Sequence, residues 1–194
     1  ADPERFKDRS FRIGELLPPA ERGDWPGYIT RAATDVGDWN NFVRAPILYL
    51  QDQFPDVRLK GMDLAVAGDI PVAAGLSSSS ALVVAVLEAS LACGGLALPF
   101  EEKAEFCGRA EWYVGTRGGS GDHAAILYCR KGSVLSVRFF PLQMEEVPFP
   151  EGYRVVSCNS FVEHHNPGAY NERVATYEIG LRLVRRSFPE HAGR

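Results

Sequence analysis

The run Pro71-Val-Ala-Ala-Gly-Leu-Ser-Ser-Ser-Ser-Ala81 constrains this chain more than any other segment, because it joins a β-like stretch to a buried helix. Upstream, Met62-Asp-Leu-Ala-Val-Ala alternates at period two; downstream, Ala81-Leu-Val-Val-Ala-Val-Leu-Glu-Ala-Ser-Leu is apolar over about three turns. The run therefore delivers a helix N-terminus. Unpaired N–H groups and the positive end of the helix dipole converge there, and small residues let backbone amides approach an anion. A serine before a helix is also the commonest cap, but one cap needs one serine. Four of them, Ser77, Ser78, Ser79 and Ser80, preceded by Gly75 and Leu76, read as a phosphate cradle with hydroxyls to spare. No Gly-Lys-Ser/Thr follows, so this is not a Walker loop, and a nucleotide here is held by backbone amides and hydroxyls.

The 194 residues are 45% apolar with 19 glycines and a net charge of −4, the composition of a globular chain with material for a core. Basic residues are scattered apart from Arg182, Arg185 and Arg186, so no nucleic-acid partner is expected. The longest apolar stretch, residues 81–98, is interrupted by Glu88, Ser90, Cys93 and two glycines, which argues against a membrane span. The opening residues do not read as a signal peptide. Cys93, Cys107, Cys129 and Cys158 lack metal or redox spacing and sit in apolar or strand-like contexts, so reduced, buried thiols and a cytoplasmic address are expected.

Residues 2–27, rich in Pro, Gly and charge, read as a loop or β-excursion. From Trp39 the positions Phe42, Val43, Ile47 and Leu50 follow helical spacing, with Pro46 a kink or early break and Phe54-Pro55 the end. A strand then leads to the Gly/Ser loop. After Gly94-Gly95, residues 100–113 alternate charge and apolar residues as a second amphipathic helix. A glycine-rich turn carrying Asp122 follows, then a strand from Ser133. Residues 153–160 read as a new strand and residues 169–187 as a long helix. No further strand follows in these 194 residues, so the second unit reads as the start of a truncated domain.

With these residues in view, the chain resembles the galactokinase family and, more broadly, the GHMP-type small-molecule kinases. They share a Pro-x-x-x-Gly-Leu-Ser-Ser-Ser-Ala phosphate loop like residues 71–81. Trp39-Asn-Asn-Phe-Val is similar to the segment whose aromatic residue packs on adenine. Glu111, in Arg-Ala-Glu, resembles the magnesium carboxylate, and Asp122 the catalytic aspartate. Residues 159–164 and Tyr170-Asn-Glu-Arg173 resemble the strand and helix whose tyrosine lies close to the sugar.

The family's Met-Asp-Gln is Gly121-Asp122-His123 here, and the spacings from Glu111 to Asp122 and from Asn159 to Tyr170 are one residue shorter. Its first motif, Arg…Gly-Glu-His-x-Asp-Tyr, and its late glycine-rich motif are absent, which implies a natural protein longer at both ends. The resemblance implies an α+β fold. Residues 1–150 would form a nucleotide-binding domain of ribosomal-protein-like fold, and residues 151–194 the start of a ferredoxin-like domain. It also implies ATP and Mg²⁺ as cofactors and a sugar as partner, with galactose converted to galactose 1-phosphate. Another acceptor within the GHMP kinases, or a non-catalytic nucleotide and sugar sensor, is the alternative.

The chemistry follows from the residues as well. Phosphoryl transfer is positioning and charge stabilisation. Ser79, near the first turn of the helix, can offer its hydroxyl to Mg²⁺, and Glu111 is the hard oxygen that Mg²⁺ takes beside phosphate and water. Asp122 would face the acceptor hydroxyl, as proton acceptor or as orienter. On local sequence alone, Glu111 reads equally as a solvated helix charge, Asp122 as a turn residue, and Trp39 and Tyr170 as core aromatics. His123, His164 and His165 have no acidic or cysteine partner at ligand spacing and read as polar contacts. Arg117, in the glycine-rich turn, is a candidate to meet the transferring phosphate or to hold Asp122 ionised.

Overall fold

The computed structural model describes residues 6–32, 34, 37–72, 74–139, 141–158, 160 and 167–191. The chain divides into two compact units, Ala1–Leu127 and Tyr128–Arg194. Among the described residues, no helix is long and apolar enough to cross a membrane.

The first unit is helical. Where a loop or β-excursion was expected, the chain forms α1 (Ile13–Leu16), a 3-10 turn (Pro19–Glu21) and α2 (Trp25–Arg31). The reason is local capping: the Asp24 carboxylate accepts the Gly27 N–H at 3.1 Å and Pro26 occupies the first turn, where its missing N–H costs nothing. This start buries Trp25 and Tyr28. Trp25 donates from Nε1 to the Arg109 carbonyl at 2.9 Å, and the Tyr28 hydroxyl donates to the Leu16 carbonyl at 2.7 Å. Both rings carry a polar group inward and find it a partner.

Helix α3 (Asn40–Gln53) runs through Pro46 without ending there. Ala45, Leu48 and Leu50 are fully buried, as is Pro46, so burial on several sides offsets the lost backbone bond. Asp38 Oδ1 accepts the Asn40 N–H at 3.0 Å at its start. At its end the Phe54 N–H bonds to the Leu50 carbonyl, and Pro55 follows. Helix α4 (Ser78–Gly94) packs Val83, Val84, Leu87 and Leu91 into the core. Gly95, at φ 64, ends it, and the Leu96 N–H reaches back to the Leu91 carbonyl at 3.0 Å. Helix α5 (Lys103–Glu111) buries Ala104, Phe106, Cys107 and Ala110, and Lys103 Nζ pairs with Glu88 Oε1 of α4 at 2.6 Å. The core is aromatic at its centre: the Tyr49 ring lies 4.5 Å from Phe106 and 5.0 Å from Trp25.

Helix α6 (Gly121–Tyr128) replaces the turn expected around Asp122. In the second unit, β1 (Ser133–Arg138) pairs antiparallel with β2 (Gln143–Pro148), Ser133 opposite Pro148 and Arg138 opposite Gln143. The expected helix is α7 (Pro167–Ser187).

Two expected strands do not form. Residues 62–67 and 153–158 carry no regular structure, and no described strand pairs with either. Tyr153, Val155 and Val156 are each more than 70% exposed. Alternation prepares a strand, but only a neighbouring backbone makes one. Of the four cysteines expected to be buried, Cys107 is; Cys93, Cys129 and Cys158 are exposed, and all four are free thiols. Burial, together with the charges of Glu111 and Glu88 and against that of Lys103, pushes the Cys107 thiol up to about 12.

Candidate functional site

The Gly/Ser loop reaches α4 through two left-handed residues. Gly75 has φ 70, and Ser77, a non-glycine residue in the same region, has φ 54 and ψ 35. An L-residue held there stores strain, which is common where backbone groups are aimed at a ligand. The Ser77 carbonyl accepts the Ala81 N–H at 3.0 Å, and no side chain caps the helix. The first-turn amides of Ser78, Ser79 and Ser80 therefore point out at the positive end of a long helix without a capping side chain. This differs from an ordinary capped start, in which a serine oxygen would accept one of them.

Ser80 instead turns its hydroxyl inward, donating to Glu111 Oε2 at 3.0 Å. Ser80 is buried, whereas Ser79 is partly exposed on the same turn. Glu111, the last residue of α5, is thus no solvated helix charge: its side chain is 17% exposed, unlike the exposed Glu101, Glu102 and Glu105. His123 Nε2 lies 2.7 Å from the same Oε2. The oxygen lies off the ring's N–H direction, so neither buried nitrogen of His123 has an aligned hydrogen bond. Asp122, the preceding residue, is exposed in the first turn of α6, where the dipole favours a carboxylate. The structure therefore brings Ser80, Glu111 and His123 together, with the uncapped amides one turn or less from Ser80.

Other expected residues lie elsewhere. Trp39, the N-cap residue of α3, is half-buried against Val43, Ile47 and Val86 and meets Phe6 edge-on at 6.1 Å. Its Nε1 is buried without a hydrogen-bond partner among the described residues. Arg117 lies over the Trp112 ring at 5.1 Å, and Trp112 Nε1 donates to the Gly118 carbonyl at 2.9 Å, which orders the glycine-rich turn. Tyr170 lies on α7, in the second unit, 41% exposed. Ala73 of the loop, Asn159 and residues 161–166, which include His164 and His165, lie outside the described residues. A cleft of about 340 Å³ between Glu15, Glu21, Tyr28, Arg31 and Tyr113 shares no residue with the loop.

Among the described residues, no three His, Cys, Asp or Glu side chains gather as a metal site. One carboxylate and nearby hydroxyls are nevertheless a donor set that suits Mg²⁺ arriving with a nucleotide, because this ion takes few protein ligands and fills its shell with phosphate oxygens and water. The contribution of His123 escaped the sequence reading. Its one local signal is a histidine within Asp122-His-Ala-Ala-Ile, too short a run to reveal which face is buried.

Residues 41–130 match the family described as GHMP kinases N terminal domain. The chain is 33% identical to a galactokinase of Actinobacillus pleuropneumoniae serotype 5b over 147 residues, 75% of this chain and 38% of that protein. It is 31% identical to a galactokinase of Glaesserella parasuis over 159 residues, 78% of this chain and 41% of that one. Against a galactokinase of Dictyostelium discoideum it is 33% identical over 196 residues, 98% of this chain and 36% of the relative. The chain thus spans about two fifths of the length of the curated relatives it matches. The left-handed approach to α4 and the Ser80–Glu111 contact both fall inside the matched segment, and residues 41–130 of this chain are a GHMP kinase N-terminal domain.

Proposed function

We propose that this chain is the nucleotide-binding part of an ATP-dependent sugar kinase, with galactose as substrate and galactose 1-phosphate as product. The observation that carries the reading is the loop of Gly75, Leu76 and Ser77 to Ser80: two left-handed residues deliver uncapped amides beside a serine-held carboxylate. The amides of Ser78, Ser79 and Ser80 would bind the β- and γ-phosphates. Glu111 and the hydroxyl of Ser79 would hold Mg²⁺, which neutralises the charge that develops on those phosphates. Asp122 would accept the proton of the sugar's anomeric hydroxyl while that oxygen bonds to the γ-phosphorus and the bridging bond to ADP breaks. Trp39 on the adenine side and Tyr170 on the sugar side enter from the resemblance to galactokinases. So does the division into a nucleotide domain to about residue 150 and the opening of a ferredoxin-like domain beyond it.

The test is sugar-dependent ADP release by the natural-length protein across a panel of aldoses and unrelated alcohols, with Asp122→Asn as control. Release that favours galactose and is lost in Asp122→Asn supports the proposal. Release with a non-sugar alcohol moves the chain to another GHMP activity. ATP binding without turnover on any acceptor supports a sensor.

A further inference from the structure

Three helices meet at one carboxylate oxygen. Ser80 comes from the first turn of α4, Glu111 from the end of α5 and His123 from the first turn of α6, and both neighbours fall on Oε2. Oε1 makes no contact of this kind among the described residues. A carboxylate gripped on one oxygen from two sides cannot swing about its last side-chain bond, so its other oxygen keeps one direction.

The imidazole is an unusual choice for a merely structural neighbour. His123 is 2% exposed, yet neither nitrogen has an aligned hydrogen bond, and a buried ring with nothing to do but fill space is better served by an apolar side chain. The same two helices also touch one turn earlier. A Cβ on Gly108 would stand 3.2 Å from Ser120 Cα, so the backbones of α5 and of the residue just before α6 are in close approach. Gly108 and Glu111 are three apart on α5 and share a face, so the start of α6 is fixed against α5 at two neighbouring points. Asp122 lies between them.

We infer that His123 is a positioning residue: together with Ser80 it fixes the Glu111 carboxylate by Oε2, leaving Oε1 as the oxygen that would hold a cation, and it ties the turn bearing Asp122 to the phosphate loop. The inference rests on the kinase reading for its purpose, and on the convergence of Ser80, Glu111 and His123 for its geometry. The group it acts on is the Mg²⁺ that accompanies ATP, and the mode is orientation of a ligand by the polar neighbours packed on its other oxygen, the Ser80 hydroxyl by a hydrogen bond and the His123 ring by close contact.

The experiment uses the natural-length protein with His123→Met, which keeps the volume and removes the polar atoms, and His123→Gln, which restores an N–H donor of similar reach. ATP binding is titrated against Mg²⁺ by calorimetry, alongside kcat, KM for the sugar and thermal unfolding. In His123→Met the Mg²⁺ concentration for half-maximal ATP binding should rise about tenfold, with the sugar KM within about twofold of wild type. His123→Gln should recover most of the loss, and Ser80→Ala should repeat the His123→Met shift from the other side of the carboxylate, so the test survives if the methionine variant does not fold. In a Glu111→Gln background, His123→Met should add nothing further. A His123→Met protein with wild-type Mg²⁺ dependence, or one whose loss simply adds to that of Glu111→Gln, overturns the inference. If the wild type neither binds ATP with Mg²⁺ nor releases ADP, the kinase reading fails separately. The clamp is then judged by unfolding temperatures alone: non-additive shifts for residues 111 and 123 uphold it, and additive shifts overturn it.

Discussion

Cys107 offers a quantitative probe of how α5 is seated, because its thiol is pushed up to about 12 from 9.0 by burial and by the neighbouring carboxylates of Glu111 and Glu88. At about pH 8, an ordinary thiol of pKa 9.0 is about one tenth thiolate and a thiol near 12 about one part in ten thousand, so alkylation should be slower by about three orders of magnitude. Cys93, Cys129 and Cys158 are exposed and should react at ordinary rates. Brief alkylation followed by peptide-resolved mass spectrometry reads each site separately, and labelling after denaturation supplies the total. The same shift makes stability depend on pH. A folded-state pKa above the unfolded one contributes fully below pH 9.0, and that contribution is lost as the pH rises toward 12, as the unfolded chain ionises first. A rise from 9.0 to about 12 corresponds to roughly 4 kcal/mol when complete, so the melting temperature should fall steeply above about pH 9 and less so in Cys107→Ala. Tyr28, also pushed up by burial and by Tyr113, adds to the alkaline loss. Cys107 labelled as fast as Cys93 in the native protein would refute the reasoning, since α5 would then not bury this face.

Substitutions at three positions test the elements that carry the site. Leu87→Ala, at a fully buried position of α4, should lower stability by about 2–5 kcal/mol, read by equilibrium denaturation. Gly108→Ala gains about 1 kcal/mol of helix propensity but crowds Ser120 at 3.2 Å, an overpacking cost of about 1–3 kcal/mol, so a net loss near 1 kcal/mol is expected. Turnover should fall further than that loss explains, because Ser120 leads directly into the turn of Asp122. Ser77→Gly removes a left-handed cost of roughly 1–2 kcal/mol and adds roughly 0.4–1 kcal/mol of unfolded-state entropy. Its melting temperature should therefore not fall, and ATP affinity should stay close to wild type, whereas Ser77→Val should lose both.

Much of the helical part was legible because its signals are local. Helices α3, α4, α5 and α7 announce themselves by period and by stops such as Gly95 and Phe54-Pro55, and the loop before α4 by its run of small residues. What failed depended on partners distant in sequence. Residues 62–67 alternate like a strand and residues 153–158 carry the β-branched pair Val155-Val156, yet a ladder needs a neighbouring backbone, which no local pattern reports. The starts of α2 and α6 were hidden by the composition that also marks loops: Asp24-Trp-Pro-Gly caps a helix as readily as it turns a chain, and the glycines before Asp122 mask the apolar face that follows. For the site, residue types pointed to Glu111 and the serines. That Ser80 rather than Ser79 meets Glu111, and that His123 meets it from a third helix, is tertiary information.

The most direct measurement is a crystal structure of the natural-length protein with Mg²⁺ and a non-hydrolysable ATP analogue. The β- and γ-phosphates are expected within hydrogen-bond distance of the amide nitrogens of Ser78, Ser79 and Ser80, with Glu111 Oε1 toward the cation. Phosphates seated away from the start of α4, with Glu111 turned from the ion, would contradict this placement.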